Sequence, residues 1–313
     1  MRKNLLAGSP PFTQLIMLLF CMVTCSLLFT FIGILLAPVF GIPIAELMTT
    51  QYGGEANQNL RLMRYMQTLQ GINFFIIPAF FAAYLFSGNA INYLRLTQSA
   101  SAKWYGAVFL LMLAALPCIN LMAAANELIV FPKILSGLEQ QFKAYEEAAR
   151  NTSKLFLEVD SVGGMFFNIF MIALIAAVGE ELIFRGVMQK ILVRWTGSIH
   201  AGIIITGFLF SLMHLQFYGF FPRWLLGAMF GYLLVWSGTM WLPIFAHFVH
   251  NALAVFLSYL IHQGTIPEEI ETFGTSLKEI PITIIAAIIC VWIFWIMYRN
   301  RINTNTPQQA AII

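Results

Sequence analysis

A chain of 313 residues that is 59% hydrophobic and 10% charged has too little polar sequence to cover a soluble core of its size, since ordinary soluble domains carry about 25% charged residues. Lipid in place of water removes that requirement, because lipid-facing surface can stay apolar. The net charge of +3 is small and dispersed, which excludes the basic surface of a nucleic-acid-binding protein and makes membrane lipids the expected surroundings.

The predicted elements follow in chain order. After Arg2, Lys3, Pro10 and Pro11, an apolar run extends from about Leu15 to Leu36. It is too long for a signal-peptide core and has no convincing small-residue cleavage site behind it, so it reads as a first transmembrane helix kept in the mature protein. Further runs near the roughly 20 residues that a bilayer core requires lie at about 68–87, 105–124, 163–193, 200–216, 223–238, 241–262 and 281–298. The expected fold class is all-α, a polytopic membrane protein of about eight transmembrane helices, in one membrane domain over 1–313 with no linker to separate a second. Of the long connections, 41–63 and 125–162, the second has the pattern of an amphipathic helix lying outside or on the bilayer. The connection 263–280 is acidic, with Glu268, Glu269, Glu271 and Glu279. Cys21, Cys25, Cys118 and Cys290 sit in apolar runs without ligand spacing and read as small hydrophobes. Both tails are basic, and the short loops with Arg95, Lys103, Lys190 and Arg194 fall on their side. The excess of Lys and Arg in short loops therefore predicts that both termini are cytoplasmic.

The informative residues are polar groups at membrane depth, each costing about 2.5–3.5 kcal/mol on insertion scales and so expected to have a partner and a task. In AAVGEELIFRGVMQ, Glu181 and Arg185 are spaced i,i+4, within ion-pair reach. Glu180 lies about 100° around the helix from Glu181, which leaves it free to take a proton. His214 follows Phe210 by one turn in GFLFSLMHLQF, and His247 and Asn251 share a face in PIFAHFVHNALAVF. Three separate helices thus carry inward-facing polar groups; His250, His200 and His262 read as structural or interfacial.

A carboxylate and imidazoles converging on one point suit general-base activation of water, with a His or Asn holding the developing oxyanion. Other membrane-peptidase chemistries lack their parts: there is no HExxH helix, no GxSxG elbow, and Asp160 is the single aspartate. Two other readings stay open. One is a proton-coupled transporter built on the same charges, against which stand the absence of repeat symmetry and the confinement of the costly residues to the C-terminal half. The other is a catalytically silent membrane partner with an immunity or scaffold role.

The ordered set Glu180-Glu181-x-x-x-Arg185, Phe210-x-x-x-His214 and His247-x-x-x-Asn251 resembles the type II CAAX prenyl endopeptidases and their bacterial relatives, the CAAX protease and bacteriocin-processing (CPBP, or Abi) family. The resemblance places a catalytic core over 163–262. It implies an eight-helix fold with a cavity toward the cytoplasmic leaflet, in a bacterial plasma membrane. It further implies peptide-bond hydrolysis near the C-terminus of a lipidated or membrane-anchored substrate. By position, Glu180 and His214 would activate water, His247 and Asn251 would form the oxyanion site, and Glu181, Arg185 and Phe210 would support them. The family has been described both as metalloprotease and as glutamate-dependent. Zinc on Glu180, His214 and His247 is the alternative, whereas Asn251 and the lack of a third histidine favour a mechanism without a cofactor.

Overall fold

The structure, a computed structural model, describes residues 6–50 and 59–302. Arg2 and Lys3, on which part of the orientation argument rests, and the middle of the 41–63 connection lie outside the described residues. Among those described there is no strand. Nine principal helices follow in order: α1 (Pro11–Leu36), α2 (Leu60–Ser87), α3 (Ala102–Glu127), α4 (Ser136–Leu157), α5 (Val162–Thr196), α6 (Ile199–Met213), α7 (Phe220–Ser237), α8 (Trp241–His262) and α9 (Ile280–Arg299).

Six of them, α1, α2, α3, α5, α8 and α9, are long and apolar enough to cross a membrane. The protein is an all-α, polytopic membrane protein. The two remaining expected spans form a hairpin, α6 and α7. At 15 residues, α6 is about 22 Å long, short of the roughly 30 Å hydrocarbon core. Close approach of the two helices depends on Gly207, where a Cβ would stand 2.8 Å from the Ala228 amide nitrogen and 3.1 Å from the Trp224 carbonyl oxygen. The start of α2 precedes the expected 68 because Asn59 caps it: its side-chain oxygen accepts the amides of Arg61 (3.0 Å) and Leu62 (3.2 Å). Polar first turns were too hydrophilic to register as a span, yet they complete the helix.

The connections sort into two faces. On one, Arg194 at the end of α5 donates to Gln14 near the start of α1 (2.9 Å), and the Ile302 amide beyond α9 donates to the Trp236 carbonyl (3.0 Å). The α2–α3 connection covers the same face: Met240 donates to the Arg95 carbonyl, Trp241 to that of Leu96, and Lys190 to that of Tyr93. We call this the terminal face. On the other lies α4, the expected amphipathic helix. Its Phe142 stacks on Phe217 of the α6–α7 connection, with centroids 5.3 Å apart. The Phe221 amide donates to Asn126 at the end of α3 (3.1 Å), and His262 pairs with Asp160 (3.0 Å). This is the α4 face.

Within α5, two π-helical stretches, Ile169–Ile175 and Leu182–Met188, flank Ala176–Glu181, and a third, Gly71–Ile76, lies opposite in α2. Such wide turns recur at functional sites because they rotate side chains out of the α-helical register. Gly179 lets α2 close on α5 here, since a Cβ would stand 2.8 Å from the Phe75 Cβ. The adjacent Glu180 and Glu181 are thereby held at the depth where α5 meets α8.

Candidate active site

Glu181 and Arg185 form the base of the site. Both are fully buried, and Arg185 Nη1 donates to Glu181 Oε1 at 2.7 Å, the i,i+4 pair that the spacing predicts. Arg185 Nη2 donates to the Gly227 carbonyl (2.9 Å), and its guanidinium lies 4.5 Å from the centroid of Phe210. Phe210 therefore supplies a π-face to the cation, a contact that offsets part of its lost hydration, and the FxxxH motif is tied to the EExxxR motif through it.

His247 stands at the centre. Its Nδ1 is 2.8 Å from Glu181 Oε1 and its Nε2 is 3.9 Å from Glu180 Oε2. An ionised carboxylate only accepts, so the Glu181 contact requires the proton on Nδ1 and aims Nε2 at Glu180. Phe230 stacks on the imidazole (5.2 Å, 21° between planes) and Phe210 meets it edge-on (5.9 Å). The ring has one orientation available to it. Glu180, adjacent in sequence to Glu181, keeps 14% of its side-chain surface accessible where Glu181 keeps none. The neighbouring glutamates thus divide as their 100° offset predicts: one is tied into an ion pair, and the other faces the open side.

His214 and Asn251 line that open side without hydrogen-bonding to the others. His214 caps the end of α6, and its Nδ1 is 2.8 Å from the Phe210 carbonyl, which can only accept; its Nε2 therefore presents a lone pair when the ring is neutral. Its ring is 5.1 Å from that of Phe210, which stands between the two histidines. Asn251 Nδ2 donates to the Ile172 carbonyl inside the first π stretch of α5 (3.1 Å). One amide hydrogen is committed there, and the second remains.

For the zinc alternative, the donor set does not fit. Among the described residues no three His, Cys, Asp or Glu side chains are grouped as metal ligands would be. His247 Nδ1 is engaged by Glu181 at 2.8 Å.

One charged residue escaped the sequence reading. Arg223, at the start of α7, donates to Gln216 Oε1 (3.0 Å) and lies within the electrostatic reach of both Glu180 and Glu146 of α4. The signal was present, because Arg223 is the single Asp, Glu, Lys or Arg between Thr196 and Pro267. An ionisable group so isolated in apolar sequence merits a functional reading by default. Phe230 was missed as well, and nothing but tertiary contact marks it out.

Fold and site together define an all-α integral membrane protein whose core holds a guanidinium, two carboxylates and an imidazole in contact, with a further imidazole and an amide beside them. Comparison with known proteins finds a family match within that class. Residues 163–253, the stretch that carries all three motifs, match the family described as type II CAAX prenyl endopeptidase, Rce1-like. The chain is similar to the sporulation-killing factor biosynthesis protein SkfC of Bacillus subtilis (strain 168), 33% identical over 87 residues, which is 26% of this chain and 17% of that protein. It is also similar to YpbD, an uncharacterized protein of the same organism, 29% identical over 93 residues, 28% of this chain and 43% of that protein. The matched stretch therefore spans less than half the length of either relative. No solved structure matches the chain.

Proposed function

We propose that this protein is a glutamate-dependent intramembrane endopeptidase of a bacterial plasma membrane, hydrolysing a peptide bond near the C-terminus of a lipidated or membrane-anchored polypeptide. The observation that carries the reading is the division between Glu181, neutralised by Arg185 and holding His247, and Glu180, unbonded and facing the open side. Glu180 takes a proton from water as the oxygen attacks the scissile carbonyl, helped by the Nε2 lone pair of His214. The free hydrogen of the Asn251 amide and an Nε2–H of protonated His247 then donate to the oxyanion. Collapse of the tetrahedral intermediate returns the proton from Glu180 to the leaving amine. With His247 protonated, two carboxylates face two cations and the cluster is neutral, the condition under which buried charges are tolerable.

An apolar cavity of about 920 Å³ between α1, α2 and α5 supports a membrane-anchored substrate. Phe29, Leu36, Leu69 and Phe170 contribute to its wall, with Arg61 and Arg64 at one end. Acyl or prenyl chains suit such walls because apolar surface removed from water stabilises by about 25 cal/mol per Å².

The test is purified protein incubated with a prenylated CAAX peptide and with a peptide library, products being read by mass. The expected result is one defined cut that Glu180→Gln abolishes and that chelator treatment leaves intact. Full turnover by Glu180→Gln overturns the base assignment. Stoichiometric zinc whose removal stops turnover and whose return restores it overturns the metal-free mechanism.

A further inference from the structure

The cavity between α1, α2 and α5 is apolar along most of its length and basic at one end. Arg61 and Arg64, spaced i,i+3 on one face of the helix, stand where the cavity meets the start of α2, and the lining continues down the same helix through Thr68, Ile72 and Ile77. From Arg61 to Ile77 that stripe rises about 24 Å, more than half of the roughly 30 Å hydrocarbon core and so deep enough for the acyl chains of one leaflet. Ile32, Leu36, Phe40, Phe167 and Phe170 also line the cavity, and all five are exposed. It is open sideways, toward lipid.

The two arginines sit at the height of a lipid headgroup. With 28 residues, α2 is about 42 Å long, longer than the hydrocarbon core and close to the roughly 40–45 Å that includes the headgroups. Its first turns, which carry both arginines, therefore lie at an interface. No acidic side chain among the described residues lines the cavity, and neither arginine forms an ion pair among them. Glu46 of the preceding connection accepts a hydrogen bond from Asn59 and is not in the lining. Arg61 Nη2 donates to the Phe40 carbonyl and Arg64 Nη2 to Asn168 Oδ1 (3.0 Å), while Arg64 Nε is buried with no partner among the described residues. A guanidinium carries several N–H donors in a planar fork that matches phosphate oxygens, and these bonds leave donors on both arginines for a ligand.

We propose that this cavity is a binding site for an anionic phospholipid of the surrounding bilayer, its phosphate held by Arg61 and Arg64 and an acyl chain laid between α1, α2 and α5. Selectivity resides in the headgroup. An acyl chain gains little by leaving lipid for an equally apolar cavity, whereas two basic residues at the membrane surface favour an anionic lipid by a factor on the order of ten or more. The binding does not depend on the peptidase reading. Where that reading holds as well, the phospholipid occupies the cavity between turnovers and the substrate's own lipid chain displaces it.

The test uses the full chain purified in mild detergent, with intact protein–lipid complexes weighed by mass spectrometry at equal concentrations of phosphatidylglycerol and phosphatidylcholine. The expected result is one retained phosphatidylglycerol, preferred about tenfold or more over phosphatidylcholine, with the preference shrinking as salt rises. Arg61→Gln combined with Arg64→Gln should abolish the preference, and Arg61→Lys combined with Arg64→Lys should keep most of it. Because Arg64 also ties α2 to α5 through Asn168, Arg61→Gln alone is measured as the variant that leaves this bond in place, and it should lose part of the preference. Equal retention of the two lipids by the wild type, or an unchanged preference in Arg61→Gln, overturns the proposal. So does displacement of the lipid by inorganic phosphate, which would mark a site for the free anion. No peptide enters the measurement, so its failure leaves the peptidase reading standing.

Discussion

The two sides of the site are built on different physical terms. On the terminal side, Glu181, Arg185 and His247 are desolvated and bonded to one another, to the Gly227 carbonyl and against aromatic faces, while Glu181 Oε2 and Arg185 Nε have no hydrogen-bond partner among the described residues. On the α4 side, Glu180, His214 and Asn251 are partly accessible, and two of them make single hydrogen bonds to backbone carbonyls only. The closed half holds geometry; the open half keeps unused hydrogen-bonding capacity. Identical side chains at adjacent positions, Glu180 and Glu181, fall on opposite sides of that boundary, so one carboxylate stays accessible and the other is bound into the ion pair.

The sharpest way to break the comparison is to exchange the reagent. Glu180→Gln keeps shape and removes the base, so turnover should fall by about 10²–10⁴-fold, the usual worth of general acid–base catalysis, with the thermal transition unchanged. Loss of fold in that variant, measured by thermal unfolding in detergent, would move Glu180 to the scaffold side. In the closed half the expectation inverts. Arg185→Met leaves Glu181 as a buried, unpaired charge and should destabilise by about 3–5 kcal/mol. Adding Glu181→Gln should recover part of that loss. A double variant no more stable than Arg185→Met would show that the pair is not coupled.

Asn251→Ala tests the open half for an oxyanion donor: kcat should drop by about 10²–10³-fold with KM nearly constant, and a change confined to KM would assign Asn251 to substrate binding instead. Gly207→Ala probes the join between the halves. The added Cβ has backbone at 2.8 Å, so α6 and α7 must separate, displacing Phe210 and His214; overpacking of this kind costs about 1–3 kcal/mol, and activity should fall further than stability does. The smallest effect is far from both halves, at Asn59→Ala, which removes the α2 cap for about 1 kcal/mol and should leave peptide cleavage untouched.

Much of this was legible in the sequence because the bilayer makes the reading severe. Apolar runs of fixed length announce spans, and each charge inside one stands out against its cost. The pairing of Glu181 with Arg185 followed from i,i+4 spacing alone, as did the separate direction of Glu180. The short helix α6 and the polar start of α2 were harder, since span length was read from hydropathy while the helix ends are set by the Asn59 cap and by Gly207 packing against α7.

What the sequence by itself determined is the membrane class, the helical fold, and the identity of the residues too costly to bury without purpose. Tertiary structure alone decided how they meet. Periodicity relates residues within one helix, so it ties His247 to Asn251 but says nothing of His247 to Glu181, a contact across α5 and α8. It likewise leaves undetermined that Phe230 would clamp the imidazole and that Arg223 would come within electrostatic reach of both Glu180 and Glu146. Which of the two glutamates stays accessible depends on which neighbours bury it, and burial is a property of the packed helices together.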